Sequence, residues 1–325
     1  MIDLDTSRQT SPPLVTVVIA VFNGEKYIKE CIGSVLNQTY PNVETIIVDD
    51  GSTDSTESIV RQFGSAVTYR RQRNSGAAAS PRNEGIAISS GEYLAFLDYD
   101  DVLERHRIAS HVKFMQDHPN IDLAFGDYRN FDDGGDYSIT HFSTCPALSK
   151  NIHGKECLII DDARPDLARE NFGITGTFTI RRRLLELEPW FDISLRASED
   201  FDFYYRLSKH TPVGVINDVI LRRRLHSTNL SEEVLRQVPE GIKCYMKLAE
   251  NEQNRPAMKY LKQYAANYWL DWSRFSANNS RFMLSLLQLS RGFYTDPSVS
   301  RLLLCMKLGA RSAGIRIGIH TPDEV

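Results

Sequence analysis

Uninterrupted apolar runs alternate with segments of helical periodicity along the N-terminal third of the chain. The first run, LVTVVIAVF at residues 14–22, is rich in β-branched residues, as is typical of a strand buried on both faces of a sheet. The next segment, residues 23–42, places apolar residues on one helical face, and Asn23 is predicted to cap that helix. Further strands are predicted at residues 43–49, 66–72 and 92–98, with helices between them.

This alternation predicts the fold class. Strand, helix, strand, helix at this spacing indicates an α/β protein with a mostly parallel central sheet and helices on both faces. Such sheets bind ligands beyond the carboxyl ends of their strands. Polar clusters fall at those ends, namely FNGE, DDGSTD, NSG and DYDD, which start at residues 22, 49, 74 and 98. We therefore predict a ligand site at this edge of the sheet.

The pattern becomes less regular after Val102, and the chain is predicted to be helical throughout beyond residue 231. Predicted helices and strands between these points lie at residues 105–118, 121–128, 170–186, 196–210 and 213–226. These changes divide the chain into a leader at 1–13, which we expect to be disordered, an α/β domain at 14–231 and a helical C-terminal region at 232–325.

Composition limits the kinds of partner and the cellular compartment that we expect for this protein. The net charge of −4 and the pI near 6.1 do not favour nucleic acid as a partner. The five cysteines form no CxxC pair, which favours a reducing cytoplasm over a disulfide framework. The N-terminus lacks the basic start and apolar core of a signal peptide, and no apolar run reaches the roughly 18 residues that a membrane span needs.

The C-terminal stretch from Ser300 to His320 combines leucines with four basic residues. A basic amphipathic segment can lie on an anionic membrane surface, which would give the protein a peripheral contact with the inner face of the plasma membrane. The alternative is that this stretch packs on the α/β domain.

The stretch EYLAFLDYDD ends a predicted buried strand in Asp98, Asp100 and Asp101. Placing several carboxylates at the end of a buried strand costs free energy unless a partner offsets their repulsion. Asp98 and Asp100 are two positions apart on an extended chain, so they can address one ligand from the same side. Their hard oxygens suit Mg²⁺ or Mn²⁺, and such a cation can hold a diphosphate. The alternative is a solvated acidic turn that caps the next helix.

A second acidic pair, Asp49 and Asp50, ends the second predicted strand. An acid there can accept hydrogen bonds from a ribose or a base imide. An Asp-Gly turn with an N-cap at Ser52 or Asp54 also explains part of this motif.

Arg82 lies in the first turn of its predicted helix, where a cation opposes the helix dipole. Either a bound nucleotide or a carboxylate in a surface salt bridge would account for the position of Arg82.

Two more polar groups occur late in the α/β domain. Glu199 and Asp200 follow Ser198 in the first turn of a predicted helix, where capping alone would explain them. His226 follows a run of arginines, and such a cluster can hold phosphates with His226 as ligand or donor. The alternative for His226 is a structural role.

The segments at residues 15–56, 74–101 and 196–207 resemble the motifs of the family-2 glycosyltransferases, which have the GT-A fold. The resemblance covers about residues 14–230 and implies a nucleotide-sugar half at 14–101 and an acceptor half at 102–231. It implies a transferase that uses a nucleoside-diphosphate sugar and a divalent metal, Mn²⁺ or Mg²⁺, held by the acidic triplet.

The resemblance also implies roles for single residues. Asp200 matches the family's catalytic base, and Asp100 matches its main metal ligand. Asp98 matches a contact with ribose or metal, and His226 matches more loosely a histidine near the diphosphate. Tyr99 stands where many members carry a small or acidic residue, which is expected to change the orientation of the sugar and not the metal site. The residues implied to bind the nucleotide are Val21, Phe22, Asn23, Asp49, Asp50, Arg82, Asp98 and Tyr99.

The implied reaction is a displacement at the anomeric carbon with inversion, in which Asp200 deprotonates an acceptor hydroxyl. Uridine is the expected base, and a glycan or lipid-linked acceptor in bacterial surface polysaccharide synthesis is the expected setting. A sugar nucleotidyltransferase is one alternative, but AVFNGEKY lacks the Gly-rich, basic loop that such an enzyme usually carries after its first strand. A catalytically silent nucleotide-sugar-binding module is the other alternative, which Asp200 and the intact triplet disfavour.

Overall fold

The computed structural model describes residues 11–226, 234–278 and 282–297. Its first part is the predicted alternation of parallel strands and helices. The elements are β1 Val15–Val21, α1 Ile28–Leu36, β2 Val43–Asp49, α2 Thr56–Arg61, β3 Thr68–Arg71, α3 Ala79–Ile88 and β4 Tyr93–Asp98. β1 pairs in parallel with β2 and β4, and all of its residues are buried, which explains its continuous apolar sequence.

The second part is less regular and ends in long helices. Its elements are β5 Val102–Leu103, α4 Arg107–Asp117, β6 Leu123–Asp132, β7 Gly135–Thr140, α5 Pro146–Ile152, β8 Cys157–Ile160, α6 Arg164–Arg169, β9 Phe178–Arg181, α7 Glu199–Leu207, β10 Val213–Arg224, α8 Val234–Glu250, α9 Arg255–Asn278 and α10 Phe282–Thr295. Short 3-10 turns lie at Gly64–Ala66, Phe142–Thr144, Thr175–Thr177 and Arg182–Glu186.

The strands form one mixed sheet in the order β3–β2–β1–β4–β9–β6–β10–β5, with β7 added to β6 and β8 added to β10. β9 is antiparallel to both β4 and β6, and β6 is parallel to β10. β4, β6 and β10 therefore point the same way as β1 and end at one edge of the sheet. The antiparallel β9 begins at this same edge, which we call the rim.

Apolar side chains fill both faces of the sheet. One core cluster packs α1 against β1, and the other gathers aromatic rings such as Phe96, Phe125 and Phe178. Tyr245 of α8 and Leu261 of α9 belong to the aromatic cluster. The C-terminal helices α8 and α9 therefore share the core of the α/β domain.

One predicted helix start is wrong, because α1 begins at Ile28 and Tyr27, not Asn23, occupies its N-cap position. α7 begins directly after Ser198, as predicted, but the Ser198 side chain makes no cap hydrogen bond. Asn23 and Ser198 have left-handed backbones with φ of 50° and 59°. An N-cap residue normally needs an extended backbone, so neither residue has the conformation that the prediction required.

Several predictions concern residues outside the described ranges. They include the leader up to residue 10, the domain boundary at residue 231 and the basic stretch from Ser300 to His320. Within the described ranges, no helix combines the length and the apolar character needed to cross a bilayer.

Candidate active site

Polar side chains from three elements meet at the rim. Asp98 is the last residue of β4, His226 follows β10, and Asp200 lies in the first turn of α7. The topology brings the first two together because β4 and β10 end at the same edge. Hydrogen bonds and ion pairs then connect these elements to one another.

Arg82 connects β4 to α7. Its guanidinium donates to Asp98 Oδ1 at 2.7 Å and to Glu199 Oε1 at 2.6 Å. Burial alone would lower the pKa of Arg82, but the Asp98 and Glu199 carboxylates raise it above its ordinary value. The salt bridge is buried and not at the surface, since the Arg82 side chain is 4% exposed. Nucleotide binding by Arg82 stays a prediction.

Asp100 and His226 face each other across the rim, with His226 Nε2 at 3.0 Å from Asp100 Oδ2. Burial and the charge of Asp98 raise the pKa of Asp100, while His226 opposes the shift. The neighbouring Asp101 has a structural contact, because its buried carboxylate accepts the backbone N–H of Arg224 at 2.8 Å. Asp98 therefore ends β4, and Asp101 holds the end of β10.

The donor set fits a divalent cation whose shell is completed by substrate. Among the described residues, no group of three or more His, Cys, Asp or Glu side chains is placed to hold a metal ion. Mg²⁺ is usually held by one or two carboxylates, with water and substrate phosphates supplying the other ligands. Asp98, whose side chain is 39% exposed, and the adjacent Asp100 match that requirement.

Asp49 and Asp50 are already bound by protein donors. The Asp49 carboxylate accepts the backbone N–H of Ser52 and the hydroxyl of Tyr69, each at 2.7 Å. The Asp50 carboxylate accepts Gln72 Nε2 at 2.6 Å. The Asp49 contact agrees with the turn interpretation of DDGSTD. A role of either acid in nucleotide binding stays a prediction.

The end of β1 supplies the other side of the predicted nucleotide site. Val21 is 2% exposed and Phe22 is 42% exposed, so only Phe22 offers a side chain to a ligand. The Asn23 carboxamide ties this loop to the next by accepting the backbone N–H of residue 53 at 2.8 Å. A Cβ on Gly24 would lie 2.8 Å from the Tyr99 ring, so glycine is what lets Tyr99 pack against this loop.

Asp200 has the environment of a general base. The Thr175 hydroxyl donates to its Oδ2 at 3.3 Å, and the Phe201 backbone N–H donates to its Oδ1 at 2.7 Å. Burial and the adjacent Glu199 raise the pKa of Asp200 to about 6, although Arg82 opposes the shift. A base with a pKa near the working pH is efficient, and such perturbed carboxyls are frequent in active sites.

Several contacts of the site were not predicted from the sequence. Glu199 was expected only to cap its helix, but it binds Arg82 across a separation of 117 residues. The sequence also did not predict that Thr175 donates to Asp200 or that Ser75 donates to Asp50. The NSG motif signals a polar loop at Ser75, whereas no local pattern signals a contact between residues so far apart in sequence.

The rim therefore gathers carboxylates from two elements, the end of β4 and the start of α7. Residues 16–186 match the family model described as Glycosyl transferase family 2. This match covers more than half of the chain. The chain therefore belongs to family 2 and is a glycosyltransferase.

Similar proteins from three bacteria are also named glycosyltransferases. An uncharacterized glycosyltransferase of Rickettsia typhi is 28% identical over 246 residues, which cover 72% of this chain and 70% of that protein. Glycosyltransferase GlyG of Streptococcus pneumoniae is 38% identical over 37% of this chain and 40% of its own. TuaG of Bacillus subtilis, whose name refers to teichuronic acid biosynthesis, is 36% identical over 46% of this chain and 57% of its own.

Solved structures confirm the predicted GT-A fold. S. aureus TarS in complex with UDP-GlcNAc superposes with a TM-score of 0.66 at 18% identity, covering 95% of each chain. A mannosyltransferase from Pyrobaculum calidifontis, in complex with GDP-Man and Mn²⁺, gives a TM-score of 0.61 at 18% identity, covering 94% of this chain and 81% of that one. At these identities the likeness concerns the fold alone.

Proposed function

We propose that the protein is an inverting, metal-dependent glycosyltransferase that moves a sugar from a UDP-sugar to an acceptor hydroxyl. The observation that carries this proposal is the bridge from Asp98 through Arg82 to Glu199, the neighbour of Asp200. This bridge keeps the carboxylates proposed for the donor and the proposed base at one rim, as a displacement between donor and acceptor requires.

In the proposed reaction, Asp200 accepts the proton of the acceptor hydroxyl while the hydroxyl oxygen attacks the anomeric carbon. The bond to the nucleoside diphosphate breaks on the opposite face, so an α-linked donor gives a β-linked product. The Thr175 hydroxyl and the Phe201 backbone N–H each hold one oxygen of the base and thereby fix the orientation of the carboxylate. A positioned base of this kind contributes about 10² to 10⁴ in rate.

Asp100 and Asp98 are the residues proposed to hold Mn²⁺ or Mg²⁺. His226 either completes that set or orients Asp100 through the contact between them. When bound, the cation would neutralise charge on the diphosphate leaving group. The mannosyltransferase neighbour, which is in complex with Mn²⁺, supports this proposal.

The raised pKa of Asp200 predicts an acid limb in the pH–rate profile. The carboxylate is ionised and can accept a proton above about pH 6, and it is protonated and inactive below that value. We therefore expect kcat/KM to fall about tenfold per pH unit below about pH 6. Initial rates of UDP release across this range measure the effect, and a rate that does not change with pH would contradict the assignment.

Uridine is the proposed base of the donor. TarS has been solved with UDP and with UDP-GlcNAc, whereas the mannosyltransferase was solved with GDP-Man, so neighbours with similar folds use different bases. Asp50, which directly follows β2 at the rim, is the carboxylate proposed to face the base.

Asp50→Ala is expected to weaken UDP binding by about 1–3 kcal/mol, because it removes the acceptor proposed for the base imide. Gln72 and Ser75 also lose the carboxylate to which they donate, so thermal stability is measured on the same variant. Calorimetric titration with UDP in Mn²⁺ gives the affinity. Tighter binding of GDP or dTDP than of UDP by the wild-type protein would overturn the choice of uridine.

The stereochemical outcome tests the mechanism itself. Proton NMR of a UDP-sugar undergoing hydrolysis is expected to show the β-anomer of the sugar first, before mutarotation equilibrates it. An α-anomer released first would indicate retention and would remove the role proposed for Asp200. Binding of the donor without any release of UDP would favour the silent-module alternative, and use of a sugar 1-phosphate with a nucleoside triphosphate would favour the nucleotidyltransferase.

We propose a glycan or lipid-linked acceptor, within the synthesis of a bacterial surface polysaccharide or glycoconjugate. The relative TuaG, whose name refers to teichuronic acid biosynthesis, supports this setting. A cytoplasmic location with peripheral contact at the inner face of the plasma membrane stays a prediction.

A further inference from the structure

Arg107, the first residue of α4, is completely buried beneath the rim. Its Nη1 donates to the Thr179 hydroxyl at 2.7 Å, and its Nη2 donates to the Phe178 carbonyl at 2.6 Å and lies 3.5 Å from the Gly176 carbonyl. No carboxylate in the described part of the chain pairs with it, and burial lowers the pKa of Arg107 to about 9. A buried cation held only by neutral acceptors is costly, so its position calls for an explanation.

The Thr179 hydroxyl extends this contact to His111, one helical turn further along α4. Because that hydroxyl accepts from Arg107, its own proton is free to be donated to His111 Nδ1, which lies 2.9 Å away. Burial and the nearby Arg107 lower the pKa of His111 well below its ordinary value, so the imidazole is neutral. The chain of donors therefore runs in one direction, from the guanidinium through the hydroxyl to the ring.

The acceptors of Arg107 are the start of β9, at Phe178 and Thr179, and one residue of the turn before it, Gly176, and this turn contacts the proposed base. Gly176 lies inside the Thr175–Thr177 turn, and Phe178 follows it as the first residue of β9. A Cβ on Gly176 would lie 2.6 Å from Leu221, so the turn is packed against β10 as well as held by Arg107. At the open side of this turn, the Thr175 hydroxyl donates to Asp200 Oδ2.

We propose that Arg107 is a positioning residue for glycosyl transfer, which holds the Thr175 turn from below so that Thr175 stays bonded to Asp200. This inference rests on the proposed role of Asp200 as the base. Arg107 acts only through the turn, and the donor site is not expected to respond to its removal.

A double-mutant cycle separates this role from a general loss of stability. Arg107→Met is expected to lower the rate of UDP release from UDP-GlcNAc in Mn²⁺ by about a hundredfold, because a small misplacement of a catalytic group has effects of that size. UDP affinity is expected to stay unchanged. In a Thr175→Val background, Arg107→Met is expected to have almost no further effect, because the contact through which it acts is already lost.

Arg181→Met is the matched control, at the far end of β9. Arg181 is also largely buried and also donates to a backbone carbonyl, that of Met115, but it does not touch the Thr175 turn. Arg181→Met is expected to lower the melting temperature and to leave the rate of UDP release by the folded enzyme unchanged. If Arg107→Met does not fold, Arg107→Lys, which keeps the charge but has a single donor nitrogen, enters the same cycle.

The outcomes distinguish the inference from the proposed function. An unchanged rate in Arg107→Met, or an equal further loss in the Thr175→Val background, would overturn the positioning role. If the wild-type enzyme releases no UDP from UDP-GlcNAc, that sugar nucleotide is not its donor, and amide hydrogen exchange of residues 174–178 decides the inference. Faster exchange there in Arg107→Met but not in Arg181→Met supports it, and unchanged exchange overturns it.

Discussion

Asp200→Asn is expected to lower turnover at least about a hundredfold while the affinity for UDP hardly moves. The amide cannot take the proton of the acceptor hydroxyl, and the base touches acceptor and not donor. The side chain keeps its size, and its carbonyl oxygen can still accept from Thr175, so the fold is expected to survive. UDP release in Mn²⁺ and calorimetric titration with UDP measure the two quantities.

Asp166→Asn is the matched control for this substitution. Asp166 also lies in the first turn of a helix, and burial likewise raises its pKa. We expect the Asp166→Asn variant to turn over at the wild-type rate. Glu199→Gln, the obvious control from the sequence, is unsuitable because Glu199 binds Arg82. Near-normal turnover in Asp200→Asn would move the base to another residue or indicate a retaining mechanism.

Asp100→Asn is expected to remove the metal dependence of UDP binding and leave the fold intact. The affinity for UDP in Mn²⁺ should drop at least about tenfold, to the value measured in EDTA, because an amide is a poor ligand for a hard cation. His226 can still contact the amide at this position, so the end of β10 is expected to stay in place. Titrations with UDP in Mn²⁺ and in EDTA give the comparison.

Asp117→Asn serves as the control for Asp100→Asn. Asp117 is an exposed acid at the end of α4, which leads to the start of β6 at the edge of the sheet opposite the rim. Its loss changes the net charge by the same amount and is expected to leave UDP binding unchanged. Equal affinities of Asp100→Asn in Mn²⁺ and of the wild-type protein in Mn²⁺ would count decisively against the metal site.

The alternation of apolar strands and amphipathic helices was enough to predict the fold of residues 14–101. β1 and β4 are buried along most of their length, so their sequences carry a strong strand signal, and the polar residues after them mark the rim. The position of Asp98 at the end of β4 and of Asp200 at the start of α7 followed from the same patterns.

The contacts that organise the site depend on tertiary structure and could not be predicted. A strand was predicted within residues 170–186, but no local pattern indicates that β9 is inserted between β4 and β6 in the opposite direction. It is this strand that brings Thr175 to the rim. The left-handed backbones of Asn23 and Ser198 were not predicted either, because residues other than glycine rarely adopt a positive φ, although asparagine does so more often than most.

The measurement that tests the central claim most directly is a screen of nucleotide-sugars for UDP release by the wild-type enzyme, with Mn²⁺ and with EDTA. We predict that at least one UDP-sugar is hydrolysed slowly in Mn²⁺, that EDTA abolishes the release, and that Asp200→Asn and Asp100→Asn both remove it. Release that persists in EDTA, or that no nucleotide-sugar supports, would contradict a metal-dependent UDP-sugar transferase.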